Sequence, residues 1–501
     1  MTGYFPYQGI KTESEYLSVV IDDAAKSILS DIKVLEKEIQ KFKKSDKLKW
    51  IKTGVNYYDG EQDITKRERK VIGKGGRLES VKNLPNNKVL DNQYAKLVDQ
   101  KVNYQLGKPL TIETENKTYL KLLQNVFNKR FHRTLKNIGE DALNGGISYL
   151  YPYYNEFGVL AFKHFKSYEV LPFWKDADKT ELHSFVHLYT INTYEGETEV
   201  VKEYADYYTL NGVTRYVWFN GRLIPDVEKQ PSSYLTVIDD EGNTQALNWQ
   251  RIPLIPFRFN NRESPLIKRV KSLQDGINTM LSDFQNNMEE DARSTILVLH
   301  NYDGQDLGEF RRNLAQYGAV KVRSADGAKG GLETLYIEVN KDNYESILKL
   351  FKKALIENGR GYDSKDDRMS NNPNQMNIQS MYSDIELDAN GIETEFQASF
   401  EELLWFVNQH LANTGQGDFE GESVKFIFNR DTLVNESEVI ESLNKSTDLS
   451  LETRISQHPY VDDVQRELDR IKKERNERMN EYDGYRATFR RNPGELDGQE
   501  S

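Results

Sequence analysis

The sequence predicts an α+β protein: a helical N-terminal part, an antiparallel β-rich part, and two long helices that flank a small mixed module. Three observations predict this. Apolar residues recur three and four apart over 13–48, 89–106 and 116–143, the period of helices buried on one face. From Gly145 the texture changes to aromatic and β-branched runs, punctuated by Asn211-Gly212 and Asn220-Gly221, the chemistry of tight hairpins. Beyond Ser264-Pro265 the helical period returns twice, over 264–294 and 341–357, with strand-like runs between.

Each element follows from its residues. Tyr16, Val19, Val20, Ala24, Ile28, Ile32, Leu35 and Ile39 make one amphipathic stripe, so 13–48 reads as a single helix. Tyr57-Tyr58-Asp59-Gly60 is a turn signal, and Gly73-Lys74-Gly75-Gly76-Arg77 reads as a mobile basic loop. The helix over 89–106 stops at Gly107-Lys108-Pro109. Ile147–Tyr154, Leu160–Phe165, Phe185–Ile191, Tyr204–Leu210 and Tyr216–Phe219 are the strands of a meander, whose many tyrosines suit half-buried pleated faces. Pro265 stands at the first position of a long helix, with Leu266, Val270, Leu273, Ile277, Met280, Phe284 and Met288 as its seam. Between this helix and the next, strands are expected at 296–299, 319–322 and 335–339, with a helical piece at 307–317. If the two helices pack antiparallel, the module sits at the tip of a stalk. A polar loop over 359–377, a helix over 378–412, a strand at Val424–Asn429 and charged helices to about 480 follow, and the last twenty residues lack apolar periodicity and are expected to be disordered.

Composition limits the function. A chain of 501 residues exceeds one ordinary core, so several structural regions are expected. With no cysteine there are no disulfides, thiolate metal sites or thiol nucleophiles. No run of eighteen uncharged apolar residues occurs, so no membrane span is expected. The formal charge of −12 argues against a tight grip on nucleic acid, which depends on neutralising phosphates. The usual catalytic patterns fail one by one. The glycines at 73–76 lack the spacing of a phosphate loop. Asn301, Asp303, Asp306 and Glu309 look like calcium ligands, but the glycine falls at 304, out of place for a calcium hand. His183 and His187 lie on a strand and read as surface histidines, and Glu289 and Glu290 point in different directions on a helix. The residues nominate no catalytic site, no metal and no cofactor.

Several phrases resemble, in order and spacing, the portal proteins of long-tailed phages and prophages of Gram-positive bacteria. They are Tyr57-Tyr58-Asp59-Gly60 with Asp63-Ile64, Val102 to Pro109, Gly145-Gly146-Ile147-Ser148-Tyr149 leading to Tyr154 and Gly158, Ile255 to Asn261, and Leu449 to Thr453 with His458 to Asp463. The resemblance implies a closed ring of about twelve copies at a capsid vertex, through which double-stranded DNA is packed and ejected. It implies a wing over 1–263, stem helices at 264–294 and 341–362, and a clip at 295–340. A tunnel loop would lie at 363–377, a wing and crown junction at 378–429, a helical crown at 430–480 and a disordered tail at 481–501. The clip would dock the terminase large subunit and then the head–tail connector, through Asp303, Asp306, Glu309, Arg311, Arg312, Lys321, Arg323 and Lys329. Lys365, Arg368, Asn371, Asn372 and Asn374 would face DNA. Flanked by Asp363, Asp366 and Asp367, those two cations would make transient, salt-sensitive phosphate contacts. Major capsid and scaffolding proteins are further partners that the resemblance implies, with the host cytoplasm as the place of assembly and no membrane. The hydrolytic work would fall to a separate ATPase, so the chain itself is expected not to be an enzyme. The competing expectations are another virion structural protein, a connector or scaffold component, and an enzyme acting on nucleic acid.

Overall fold

A computed structural model describes residues 32–72, 76–80, 84–226, 231–238, 244–291, 296–300, 331–335, 341–363, 375–430, 436–446, 448–461 and 464–489. The chain divides into two compact units, residues 1–362 with 384–431, and residues 363–383 with 432–501. The first opens with α1 (Ile32–Lys44) and α2 (Asp46–Tyr58). Ser45 accepts a hydrogen bond from the Leu48 amide, so the expected helix over 13–48 ends at this cap and a second one begins. A small hairpin follows, β1 (Lys70–Ile72) with β2 (Leu78–Ser80), joined by the glycine-rich segment, of which 73–75 lie outside the described residues. α3 (Gln93–Leu106) ends at Gly107 as expected, and β3 (Thr111–Glu113) comes next. The expected helix over 116–143 is again two, α4 (Lys117–Val126) and α5 (Lys129–Gly145), because Asn116 and Asn128 each cap a helix start.

The β-rich part forms two sheets. β13 (Ile255–Arg258), β4 (Ile147–Tyr154) and β5 (Leu160–Phe165) make one, in that order. The other is an antiparallel meander of β6 (Val170–Trp174), β7 (Leu182–Glu195), β8 (Thr198–Thr209), β9 (Gly212–Phe219) and β10 (Arg222–Pro225). Asn220 and Gly221 both have positive φ, 49° and 80°, so the β9–β10 turn is of the hairpin type that an Asn-Gly pair predicts. β11 (Leu235–Ile238) pairs with β12 (Thr244–Leu247). Helix α1 covers the meander: Leu35, Ile39 and Phe42 pack against Val186, Leu188, Ala205 and Leu223. His187 is buried, stacked 4.0 Å from the Phe165 ring with Glu169 at 3.4 Å, so the expectation of a surface histidine is corrected. The Tyr189 ring stacks against His187 as well, at 4.8 Å.

The long helix α6 (Ile267–Asp291) starts two residues later than expected, because Pro265 lies outside it and its carbonyl accepts from the Lys268 amide. β14 (Ile296–His300) pairs with β15 (Gly331–Leu335), a strand just before the one expected at 335–339, whose residues beyond 335 lie outside the described ones. α7 (Lys341–Gly359) returns antiparallel to α6: Phe284 meets the Tyr344 ring at 5.1 Å, while Gly276 faces Phe351. A Cβ at 276 would sit 2.7 Å from that ring, so any larger residue would have to push Phe351 aside. α8 (Gln375–Asn413) buries Phe396, Phe400, Leu403 and Val407 in the main core, and β16 (Lys425–Ile427) pairs with β3. In the second unit, α9 (Glu436–Lys445) and α10 (Leu451–Ser456) lead to α11 (Val464–Phe489), and Tyr460 donates to Glu436 at 2.7 Å. α11 reaches well into the twenty residues expected to lack structure.

One face of α6 carries polar residues that the apolar seam does not announce. Gln274, Asn278, Ser282 and Asn286, four apart, are all buried. They receive the backbone amides of an extended strap. Asn87 donates to Asn286 at 2.7 Å, Val89 to Ser282 at 3.0 Å and Asp91 to Asn278 at 3.0 Å. The Tyr94 amide, at the start of α3, donates to Gln274 at 2.9 Å. Replacing Asn278 by Leu removes the acceptor for Asp91 and the donor to Gln62, which lies 2.6 Å away. Leaving such groups buried and unpaired costs about 1–3 kcal/mol each. The variant is expected to unfold at a lower denaturant midpoint and to lose amide exchange protection at Asn87, Val89 and Asp91. Unchanged protection at all three would contradict the ladder.

Candidate functional site

The functional residues proposed from sequence, Lys365, Arg368, Asn371, Asn372 and Asn374, lie outside the described residues, as do Asp303, Asp306, Glu309, Arg311, Arg312, Lys321, Arg323 and Lys329. The structure does describe the base of the loop that joins α7 to α8. There, three cations from three elements converge on one carboxylate. Lys101 of α3 sits 2.8 Å from Asp388 of α8, Arg269 of α6 is 2.7 Å away, and Arg360, just after α7, reaches the other oxygen at 2.9 Å. Lys101 also donates to the Arg360 carbonyl at 2.9 Å.

Burial sets the electrostatics of this node. The Lys101 side chain is 1% exposed, and desolvation pulls its ammonium down to about 8 although Asp388 opposes the shift. Burial acts upward on the Asp388 carboxyl, but Lys101 and Arg269 outweigh it and hold the group below its ordinary range. Arg360 has a φ of 51°, the left-handed region that disfavours side chains. It occupies the position after the helix where glycine is usual: its own amide donates to the Glu357 carbonyl and the Gly361 amide to Ile356, a Schellman closure. The glycines flank it instead, at 359 and 361, where any Cβ would press within 2.2 Å and 2.5 Å of the Leu97 side chain.

A second ionic cluster braces the start of α6. Glu263 has its side chain only 3% exposed and meets Lys47 at 2.5 Å, Lys179 at 2.8 Å and Arg258 at 3.5 Å. Burial raises its carboxyl, yet Lys47 and Lys179 prevail and lower it to about 2. Elsewhere, Glu402 is pushed up to about 7 by burial in a cleft of about 370 Å³ shared with Trp174, Arg251 and Phe406. Glu181 and Lys175 also line this cleft. Among the described residues no group of three His, Asp or Glu could hold a metal ion, and no helix is long and apolar enough to cross a membrane.

Sequence reasoning missed Lys101, Arg269, Arg360 and Asp388. Two signals were present: a lysine amid Leu97, Val98, Val102 and Gln105 on the buried side of a helix, and an arginine between two glycines. Neither reveals its partner, because Asp388 is 287 residues from Lys101.

Fold and site together define a scaffold: an antiparallel helical stalk, strapped along one face and clamped at its base by buried charge. The chain belongs to the family described as "Phage portal protein, SPP1 Gp6-like", whose model matches residues 35–481. It is 29% identical over 483 residues to the portal protein of Bacillus phage SPP1, covering 94% of this chain and 91% of that one. It is 24% identical over 430 residues to the portal protein of Clostridium phage phiCD119, covering 82% and 89%. A solved neck of a native gene transfer agent particle aligns with 80% of this chain and 97% of its own at a TM-score of 0.36 and 13% identity.

Two predictions follow from the clusters. Asp388→Asn leaves three cations around a neutral amide and is expected to cost about 3–5 kcal/mol, whereas Lys101→Met, which removes one charge and keeps the volume, should cost much less. Chemical denaturation of both variants checks the order. For Glu263 the folded carboxyl lies below its unfolded value, so its contribution is present above about pH 4.5 and lost as pH falls toward about 2. Glu263→Gln should therefore lower the melting midpoint at pH 7, and its deficit against the unsubstituted chain should shrink through that acid window.

Proposed function

We propose that this portal-family chain assembles into a closed ring of about twelve copies at a capsid vertex and serves as the conduit for the viral genome. The family match over 35–481 carries the proposal. In this reading the wing covers 1–263, α6 and α7 belong to the stem over 264–294 and 341–362, and 295–340 is the clip. The loop over 363–377 faces the channel, 378–429 joins wing to crown, 430–480 forms the crown and 481–501 the tail. The clip docks the terminase large subunit during packaging and the head–tail connector afterwards; capsid and scaffolding proteins surround the ring. The protein performs no hydrolysis, and the motor supplies the force. It is assembled in the host cytoplasm and ends in the virion.

The stalk supports this reading physically. A pore wall must keep its shape under load; the strap holds α6, the close approach at Gly276 and the Asp388 node tie α6 to the α7 end, and the Glu263 cluster fixes the residues that lead into α6. An acidic chain, with a net charge of −12, also suits a wall along which DNA must slide rather than stick.

Negative-stain microscopy of the purified chain, with mass determination on the same sample, is expected to show rings with a central hole of duplex width. Monomers or dimers at high concentration would count against the reading. Replacing both Lys365 and Arg368 by Ala is expected to impair DNA packaging more than ring assembly, and normal packaging by the double variant would remove the tunnel-loop assignment.

A further inference from the structure

The node at Asp388 is not electrically balanced. Three cations meet a single carboxylate, and among the described residues no other carboxylate lies within ion-pair distance of Lys101, Arg269 or Arg360. Buried charge is tolerated when it is paired, and an excess of two positive charges around a lysine with a 1% exposed side chain invites a further anion. The donors for one are present. Arg269 and Arg360 each place a single nitrogen on Asp388, and their side chains are 33% and 47% exposed, so Asp388 does not use up the donors of either guanidinium; that of Arg269 lies over the Phe259 ring, 5.2 Å from its centroid.

The backbone at Arg360 points the same way. Glycine is the residue of least strain at a left-handed position closing a helix, and here glycines stand on both sides of it. A left-handed arginine costs roughly 1 kcal/mol or more in backbone energy, so its side chain does something that glycine cannot. We propose that Arg360 and Arg269, held in place by Asp388, form a binding site for a phosphate-class oxyanion at the base of the α7–α8 loop. A planar guanidinium offers paired donors in the geometry that a tetrahedral phosphate accepts, and fixing it on a buried carboxylate removes much of the ordering cost. Lys101 lies behind both and adds field rather than a direct contact. The chemistry fits a DNA backbone phosphate and free inorganic phosphate alike. The site stands on the node alone; its occupation by DNA rests on the conduit reading, in which this loop faces the channel.

The test uses the full-length chain at constant ionic strength, titrated with inorganic phosphate against chloride and followed by melting midpoint. Phosphate is expected to raise the midpoint of the unsubstituted chain. Arg360→Gly relieves the backbone but also removes the partner of one Asp388 oxygen, so its phosphate response is read against its own midpoint without phosphate; it should bind phosphate roughly tenfold more weakly, the scale of one lost charge-assisted pair. Arg360→Lys, a point charge without the fork, should recover only part of the affinity. No effect of phosphate, or equal effects on the unsubstituted chain and Arg360→Gly, would overturn the proposal and leave the two arginines simply solvated. A short duplex, measured by fluorescence anisotropy over a salt series, separates the sources. Weaker binding and a shallower salt slope in Arg360→Gly support the DNA backbone as occupant. A phosphate effect with no change in duplex binding supports the site and rejects DNA as its ligand. Failure of the ring to form in microscopy would strike the conduit reading and leave the phosphate titration standing.

Discussion

A single helix, α6, must satisfy three unlike neighbours at once. On one side it presents apolar residues and Gly276 to α7; on another, Val270 and Ile277 enter the main core; on a third, Asn278, Ser282 and Asn286 receive a strand-like segment that belongs to no sheet, and Gln274 the first turn of α3. An extended chain laid on a helix has no ladder partner for its amides, and burying those amides unpaired costs about as much as the lost bonds would have contributed. The amide and hydroxyl side chains on α6 supply the missing acceptors. The approach of α3, the position of Gln62 and the ion pair from Lys352 of α7 to Asp91 at 2.7 Å all depend on the strap being held there.

The ionic clusters follow a different economy. Surface ion pairs contribute little, whereas a buried charge deprived of its partner is strongly destabilising. Asp388 and Glu263 therefore act less as sources of stability than as conditions on geometry, since any displacement of Lys101, Arg269, Lys47 or Lys179 exposes an unpaired charge to a low dielectric. Both lie beside the ends of the stalk helices nearest the body of the protein. Rigidity is thus concentrated where the helices leave the core.

Much of the fold was legible in the sequence because its signals are periodic and local. The central strands of the meander, its Asn220-Gly221 turn and the presence of α6, α7 and α8 follow from spacing, but Ile147–Tyr154 and Leu160–Phe165, expected in the same meander, belong to a separate sheet with β13, because their partner Ile255–Arg258 comes from far along the chain. Helix breaks at Ser45 and Asn128 were missed because a single capping side chain interrupts a stripe that continues on both sides. The polar face of α6 was missed for the opposite reason: Gln, Asn and Ser on a helix read as solvent-facing, and only the long-range approach of residues 87–91 buries them. The node escaped likewise, since partners 119 and 287 residues from Asp388 leave no local trace. The family resemblance was legible from short phrases, but those phrases mark turns and strand starts rather than charges, and so they did not point to Arg360.

The strap also sets its own length. Successive rungs are two residues apart on an extended chain, a rise of about 6.6 Å, and four apart on a helix, a rise of about 6.0 Å. The two scales drift like a vernier, by about 0.6 Å per step, so the three rungs span about 1.2 Å of offset and a further step on each side would stretch the outer hydrogen bonds beyond closing. The contact is long enough to lock α6 in one axial position and too short to be extended, so any axial displacement of that helix must break every rung together or none.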